Sequence, residues 1–122
     1  MDARRSARVS ETVREELSEL IRFELSDPRL TGVDVLDVAI SPDGRHAHVK
    51  AAVPGDDLAQ KRGLAGLSHA AGYLRKQLAL RLSLRTVPEL HFTIATATDA
   101  EDRVELLLRR AKKMTSPPEN QP

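Results

Sequence analysis

The segment from Leu58 to Pro88 contains six basic side chains and no acidic one. The six are Lys61, Arg62, Arg75, Lys76, Arg81 and Arg85. The whole chain is nearly neutral, with 19 lysines and arginines against 18 aspartates and glutamates, so this segment is locally cationic. Unopposed cations on one element attract phosphate-rich polyanions. The alternative is that carboxylates from other elements of the fold neutralise them.

Four histidines are the side chains that best suit a metal ion: His46, His48, His69 and His91. His46 and His48 are two residues apart on a predicted strand, so they face the same side, which is a usable ligand spacing. No cysteine and no carboxylate stands at a matching spacing along the chain. The sequence therefore favours surface histidines over a metal site, and we expect no metal and no other cofactor.

Paired carboxylates could serve acid–base catalysis, but their positions have a simpler explanation. Asp56-Asp57 and Glu101-Asp102 stand at predicted helix starts, where carboxylates cap backbone N–H groups and meet the positive end of the helix dipole. The chain has no cysteine, which excludes thiol catalysis and disulfides, and no phosphate loop or dinucleotide fingerprint. The sequence therefore predicts a protein that is not an enzyme and takes no small-molecule substrate.

Apolar periodicity predicts the elements that must position these side chains. Spacings of three and four place two sets of residues on helical stripes: Val9, Val13, Leu17, Leu20 and Ile21 on a first helix that ends before Pro28, then Leu64, Leu67, Ala71, Leu74, Leu78 and Leu82 on a central stretch. Alternation over residues 33–41, 46–53 and 89–96 is typical of strands. Val33, Val35 and Ala39 share a face of the first strand, and Leu90, Phe92 and Ile94 share a face of the third.

Turn and cap residues mark the boundaries of these elements. Ser41-Pro42-Asp43-Gly44 is a turn that joins the first two strands into a hairpin, and Asp56 is an N-cap for the central helix. A closing helix follows the third strand, with the stripe Val104, Leu107, Leu108 and Ala111. The predicted order is helix, strand, strand, helix, helix, strand and a terminal helix.

Two glycine patterns lie inside the central stretch. Glycine in a helix interior costs about 1 kcal/mol relative to alanine, so we expect a kink or break at Ala70–Gly72. Gly63-Leu64-Ala65-Gly66 formally matches the Gly-x-x-Gly loop by which KH domains clamp a nucleic-acid backbone. Leu64 belongs to the apolar stripe, however, and we expect both glycines to lie within the helix.

Length and composition are those of a single globular domain, with 122 residues, 40% apolar and 30% charged. We expect residues 1–8 to be a flexible basic N-terminus, residues 9–114 the folded domain, and residues 115–122 a disordered, proline-rich tail. No apolar run approaches the roughly 18–20 residues needed to span a bilayer, and the N-terminus lacks a signal-peptide core. The sequence therefore predicts a cytoplasmic protein with no membrane partner.

The order of elements and four motifs over about residues 4–110 resemble the bacterial ribosome-binding factor A family. The motifs are Arg5-x-x-Arg8-Val9, Asp27-Pro28-Arg29, Ala70-x-Gly72-Tyr73-Leu74-Arg75 and Leu82-x-Leu84-Arg85-x-Val87-Pro88-Glu89-Leu90-x-Phe92. The resemblance implies an α+β, type II KH-like fold, order αββααβ with a C-terminal helix. It also implies a three-stranded mixed sheet with helices on one face and a central helix pair kinked at Ala70 and Gly72.

Members of that family bind the small ribosomal subunit during late maturation, assist processing of its RNA and have no catalytic activity. The resemblance therefore implies a monomeric assembly factor that contacts ribosomal RNA (rRNA) through six cations: Arg5, Arg8, Arg75, Lys76, Arg81 and Arg85. Two other hypotheses remain open. One is a general KH-type RNA-binding or regulatory protein, and the other is a protein–protein adaptor that uses the acidic face of the first helix.

The match to the family pattern is incomplete between Ala95 and Val104. The family usually has Asp-x-Ser at the end of strand three, followed by Glu-x-Gly-x-Arg and an aliphatic residue. This chain has Ala95, Ala97, Ala100, Asp102, Arg103 and Val104 at those positions, so only the arginine and the aliphatic residue remain. No contact of this segment is carried over from the family.

Aromatic residues are scarce, and this bears on the kind of RNA that could be bound. The chain has Phe23, Tyr73 and Phe92 and no tryptophan. Both phenylalanines occupy apolar positions that we expect to be buried, and we expect Tyr73 to pack under the central bend. Proteins that bind single strands stack bases on aromatic side chains. The sequence therefore favours folded RNA, whose phosphates are already arranged.

Overall fold

The computed structural model describes the backbone of residues 3–115 and the side chains of residues 5–112. The first half contains helix α1 (Ala3–Glu19), a π-helical turn (Leu20–Glu24), a 3-10 turn (Pro28–Leu30) and strands β1 (Asp34–Ile40) and β2 (His46–Ala52). The second half contains helix α2 (Asp57–Arg81), strand β3 (Glu89–Ile94) and helix α3 (Ala97–Thr115). The predicted tail lies almost entirely outside the described residues.

The three strands form one mixed sheet, as the resemblance implies, and their order in it is β1-β2-β3. β1 and β2 pair antiparallel through the turn at Ser41–Gly44, where the Gly44 N–H donates to the Ser41 carbonyl and Gly44 has φ 74°. β2 and β3 pair parallel, which requires a long crossover, and α2 supplies it. The side chains of α1 and α2 bury one face of the sheet in a core that includes Leu17, Leu20, Val49, Leu67, Leu74 and Leu78.

Helix α1 begins earlier than the sequence predicts. Its first turns are residues 3–8, and its buried stripe is Val13, Leu17, Leu20 and Ile21, with Val9 partly buried against the core. Residues 3–8 contain no proline or glycine and are rich in alanine and arginine, which have high helix propensity. The helix therefore extends N-terminally from the packed stripe.

A β-bulge changes which side chains of β1 face the core. The register passes from Val35 opposite Ala51 directly to Asp37 opposite Lys50, so Leu36 is the extra residue. Alternation without a bulge predicts that Ala39 faces the core with Val35. The inserted residue reverses the phase, so Val38 is buried and Ala39 is exposed.

Helix α2 runs as a single helix through Ala70–Gly72, which corrects the predicted kinked pair. Gly72 is exposed, and a Cβ placed there would meet nothing within 4 Å, so no neighbouring element bends the helix at this point. Leu67 and Leu74 on either side are fully buried. Their burial is worth about 1.5–3 kcal/mol each and outweighs the roughly 1 kcal/mol cost of one glycine.

Close packing through glycine occurs about two turns earlier in α2. Gly63 and Gly66 lie within the helix, as predicted, and both are buried. A Cβ at Gly63 would lie 2.5 Å from Val53 Cγ1, and one at Gly66 would lie 3.1 Å from Leu30 Cδ2. The Gly-x-x-Gly sequence therefore lets α2 approach the end of β2 and the 3-10 turn, and it does not form a loop.

We expect Gly63→Ala and Gly72→Ala to have opposite effects on stability. Alanine at Gly63 must displace the stiff Val53 side chain, which should lower the free energy of unfolding by about 1–2 kcal/mol after the gain in helix propensity. Alanine at Gly72 enters open space and should raise it by about 0.5–1 kcal/mol. Urea denaturation of the two variants measures the difference. Stabilisation by Gly63→Ala would contradict the close approach of α2 to Val53.

Helix α3 is attached through polar contacts, and the predicted apolar stripe does not anchor it. Val104, Leu107 and Leu108 are 55%, 46% and 65% exposed. The attachments are ion pairs: Lys50 Nζ lies 2.9 Å from Asp99 Oδ1, and Arg103 Nη2 lies 3.7 Å from Glu11 Oε1. The helix meets the fold through Asp99 and Arg103 near its start, and the predicted stripe residues from Val104 onwards stay exposed. No helix in the described part of the chain is long and apolar enough to span a membrane.

Candidate nucleic-acid interface

The solvent side of α2 carries a strip of residues at helical spacing. Lys61, Ala65, Gly72, Lys76 and Ala79 follow one another at intervals of four, seven, four and three, and none of them is buried. At 1.5 Å per residue, the two lysines are about 22 Å apart along the helix. We call this set the lysine strip. Between its two lysines it carries the small residues Ala65 and Gly72, with the exposed Ser68 and His69 beside them, so a polyanion that spans the lysines can approach the helix backbone at Gly72.

Two arginines flank the lysine strip on opposite sides. Arg62 is exposed, and neither it nor the two lysines of the strip makes a hydrogen bond or ion pair with any described residue. Arg75 donates from Nη2 to the Val87 carbonyl oxygen at 3.1 Å, which ties α2 to the loop before β3. A carbonyl does not neutralise a guanidinium, and Arg75 stays exposed. The strip and its flanks therefore present four positive charges to solvent.

Arg81 is separated from this surface and is paired with acidic side chains. Its Nη2 lies 3.2 Å from Glu24 Oε1, and its Nη1 lies 3.9 Å from Glu16 Oε1. The alternative that carboxylates from other elements neutralise the basic run therefore applies to this residue. The sequence already indicated that Arg81 faces the rest of the fold, because it is seven residues beyond Leu74 and so lies in line with the buried stripe.

Arg5 and Arg85 line a second cationic region, a cleft of about 330 Å³ at the end of the sheet. The first turns of α1, the hairpin turn and the loop between α2 and β3 meet there, so residues 80 positions apart in sequence become neighbours. Arg8 is exposed one turn after Arg5, and its backbone carbonyl accepts a hydrogen bond from the Thr12 hydroxyl. The six predicted site residues thus fall into three places: the α2 surface with Arg75 and Lys76, the cleft region with Arg5, Arg8 and Arg85, and the ion-paired Arg81.

Sequence reasoning left out Lys61 and Arg62 as site residues and misplaced two aromatics. Phe23 is 72% exposed and Tyr73 is 44% exposed, so neither is the core residue that the sequence predicts. Phe23 is two residues beyond Ile21, the last position of the stripe, where helical periodicity already points away from the core. Tyr73 borders the lysine strip, next to Gly72, and provides one ring on which a base can stack.

The Asp27-Pro28-Arg29 motif has a structural role in this fold. Arg29 Nη2 donates to Asp27 Oδ2 at 2.7 Å, and this contact holds the pKa of the Asp27 carboxyl below its ordinary value. The Asp27 carboxylate also accepts from the Arg29 backbone N–H. Both side chains lie against Gly66 of α2. The motif therefore closes the turn after α1 over the close contact with α2.

Thr96 and Asp99 cap the start of α3, and Asp99 also forms an ion pair with Lys50 of β2. Asp99 Oδ2 accepts from the Thr96 backbone N–H and hydroxyl, while the Thr96 hydroxyl oxygen accepts from the Asp99 N–H. The Thr96 backbone hydrogen bond, followed by the contact with Lys50, lowers the pKa of Asp99 to about 2. Lys50 is therefore committed to a carboxylate that stays ionised at neutral pH.

Comparisons with known proteins identify the family of this chain. A model of the family described as ribosome-binding factor A matches residues 5–108. Ribosome-binding factor A of Solibacter usitatus is 55% identical over 98% of both chains, and that of Alkalilimnicola ehrlichii is 47% identical over 90% of this chain and 85% of its own.

Solved structures give the same result for the fold. The crystal structure of ribosome-binding factor A from Thermus thermophilus is 30% identical, covers 73% of this chain and 94% of that chain, and has a TM-score of 0.67. A homology model of the Thermus thermophilus factor, fitted into a cryo-EM map of a 30S–RbfA complex, is 32% identical, covers 69% and 88%, and has a TM-score of 0.57. The predicted α+β, KH-like fold is confirmed by these neighbours. The chain therefore belongs to the ribosome-binding factor A family.

Proposed function

We propose that this protein is an assembly factor that binds the small ribosomal subunit and its rRNA during late maturation. The observation that carries the proposal is the lysine strip with its arginine flanks, a cationic surface on one uninterrupted helix with the small residues Ala65 and Gly72 between its two lysines. Its membership of a family named for ribosome binding supports it, as does the related structure fitted into a 30S complex. The second cationic region, around Arg5 and Arg85, is a further rRNA contact in this proposal.

The protein acts by binding, without catalysis, as a cytoplasmic monomer. Binding energy that differs between two rRNA conformations shifts the population towards the one that is bound more tightly. Holding rRNA in that conformation makes it accessible to processing enzymes, and this is how the protein assists rRNA processing. Such a mechanism needs cations at fixed separations, which a single uninterrupted helix supplies.

Folded RNA is a better partner for this surface than unstructured RNA. Charges on a helix have fixed spacing, whereas the phosphates of a flexible strand must be ordered before they match it, at an entropic cost. Tyr73 and the imidazole of His69 are the exposed rings beside the lysine strip among the described residues, and stacking of one base is worth about 1–3 kcal/mol. That is too little to make single strands the preferred ligand.

Competition binding at near-physiological salt tests the proposal. Labelled protein bound to isolated small subunits is challenged with unstructured RNA or with structured small-subunit rRNA, at equal nucleotide concentration. We expect the structured rRNA to compete and the unstructured RNA to leave the complex intact. Displacement by unstructured RNA would indicate a general RNA-binding protein. Retention of the complex when excess structured rRNA occupies the cationic surface of the protein would indicate a protein–protein adaptor.

A further inference from the structure

Three histidines and one glutamate gather on the outer face of the sheet, where β2 and β3 begin. His46 Nδ1 and His91 Nε2 are 2.9 Å apart, and the His48 ring stacks on that of His91 with centroids 5.2 Å apart. The ligand atoms of His46, Glu89 and His91 all lie within 4.8 Å of one another. This cluster is separate from the lysine strip of α2.

The parallel register of β2 and β3 brings these residues together. His46 lies opposite Glu89 and His48 lies opposite His91. Residues alternate across a strand, so these four side chains share one face while Ala47, Val49 and Leu90 face the core. Sequence spacing alone finds no carboxylate to match His46 and His48, because Glu89 belongs to a strand that follows the whole of α2.

We propose that His46, His91 and Glu89 form a zinc-binding site. Imidazole nitrogen and carboxylate oxygen are zinc ligands, and three protein ligands plus a water complete a tetrahedral site. Two nitrogens bound to one zinc at about 2.0–2.1 Å with tetrahedral angles are about 3.4 Å apart. The observed 2.9 Å therefore requires a shift of about half an ångström, which rotation of the His46 side chain provides. The Glu89 carboxylate supplies the negative charge that offsets part of the charge of the ion.

The backbone around the site is held independently of any ion. The Glu89 N–H donates to the Arg45 carbonyl at 2.8 Å, and the ladder continues to the Ala95 N–H on the Ala51 carbonyl, also at 2.8 Å. His48 stacks against the ring of His91 and so limits its rotation. Ligands on a preformed ladder bind an ion without a folding step. Among the described strands, β3 pairs only with β2, the central strand. The bound zinc therefore links β3 to β2 through side chains of both strands.

Zinc titration of the full-length, tag-free, metal-free protein tests this inference, which does not depend on the proposed function. We expect saturable one-to-one binding by isothermal titration calorimetry and a rise in melting temperature with zinc, since an ion that binds only the folded state stabilises it. His91→Gln and Glu89→Gln should each weaken binding at least about tenfold. His69→Gln, which removes an exposed histidine of α2, is the matched control and should bind zinc as the wild type does.

Circular dichroism in the presence of a chelator shows whether each variant keeps the fold. If His91→Gln does not fold, Glu89→Gln decides, because it changes only an exposed carboxylate. His46 and His91 imidazole resonances should shift on zinc addition, while those of His69 should not. Binding that is non-saturable, that survives in the folded ligand variants, or that is lost in His69→Gln would overturn the proposal.

Discussion

The double variant Lys61→Glu with Lys76→Glu is expected to bind small ribosomal subunits about a hundredfold more weakly than the wild type. Charge-assisted contacts are worth about 1.5 kcal/mol each at the low end, so the loss of two amounts to about 3 kcal/mol, or two decades in affinity. Both lysines are exposed and unpaired with any described residue, so the fold should be unaffected. The slope of log affinity against log salt should fall by about 1.4–1.8, since each phosphate contact contributes about 0.7–0.9.

The matched control is Arg22→Glu with Arg109→Glu, which changes the net charge by the same amount away from the lysine strip. Arg22 lies beside the exposed Phe23 ring, and Arg109 pairs with Glu105 on α3. This variant should keep most of the affinity. Equal losses of affinity in the two double variants would show that binding depends on net charge alone. The lysine strip of α2 would then not be part of the interface.

Arg81 is unsuitable for this test, although the sequence predicts it as an RNA contact. A glutamate at this position would place a third carboxylate beside Glu16 and Glu24. Like charges at that distance repel, so a loss of affinity could follow from a disturbed contact between α1 and α2. A salt-dependent study of Arg75→Glu gives a cleaner comparison, since the hydrogen bond of Arg75 goes to the uncharged Val87 carbonyl.

Leu74→Ala and Leu78→Ala should each lower the free energy of unfolding by about 2–5 kcal/mol. Both leucines are 0% exposed and lie at the centre of the core between α2 and the sheet. Their truncation removes buried apolar surface and leaves a cavity that α2, anchored at both ends, cannot collapse to fill. Chemical denaturation monitored by circular dichroism provides the measurement.

The control for these variants is Leu80→Ala on the same helix. Leu80 is 73% exposed, and its truncation should change stability by less than about 0.5 kcal/mol. Arg81→Ala should stay below about 1 kcal/mol, because its two ion pairs are partly solvated. A midpoint shift for Leu80→Ala as large as that for Leu78→Ala would mean that the faces of α2 are assigned wrongly.

Much of the fold was predictable because its signals are local. The stripe from Val13 to Ile21 follows from the 3.6-residue period, and the hairpin turn follows from the backbone preferences of proline and glycine. Asp56 caps α2 by accepting from the Ala59 N–H at 2.9 Å, as a helix-start aspartate should. Such features depend on residues within one or two turns of each other.

The predictions were wrong where two local sequence features favoured different structures, or where the helical periodicity was not extended to the last turn. Gly72 suggests a break, yet the buried leucines on both sides keep the helix intact. Leu36 is an ordinary strand residue in sequence, and only the pairing with β2 shows that it is inserted in a bulge. Continuing the helical period would have placed Arg81 on the inner stripe and Phe23 outside it.

By itself the sequence determined the buried stripe of the first helix, the three strands, the hairpin turn and the concentration of cations on the central helix, because each depends on neighbouring residues. The tertiary structure alone decided which charges stay unpaired, since Glu16 and Glu24 reach Arg81 only when α1 packs against α2. It also decided that Glu89 and His91 stand beside His46, because parallel pairing across the α2 crossover sets that register. Chemistry that depends on residues distant in sequence is set by packing and strand register, and periodicity within one segment does not specify either.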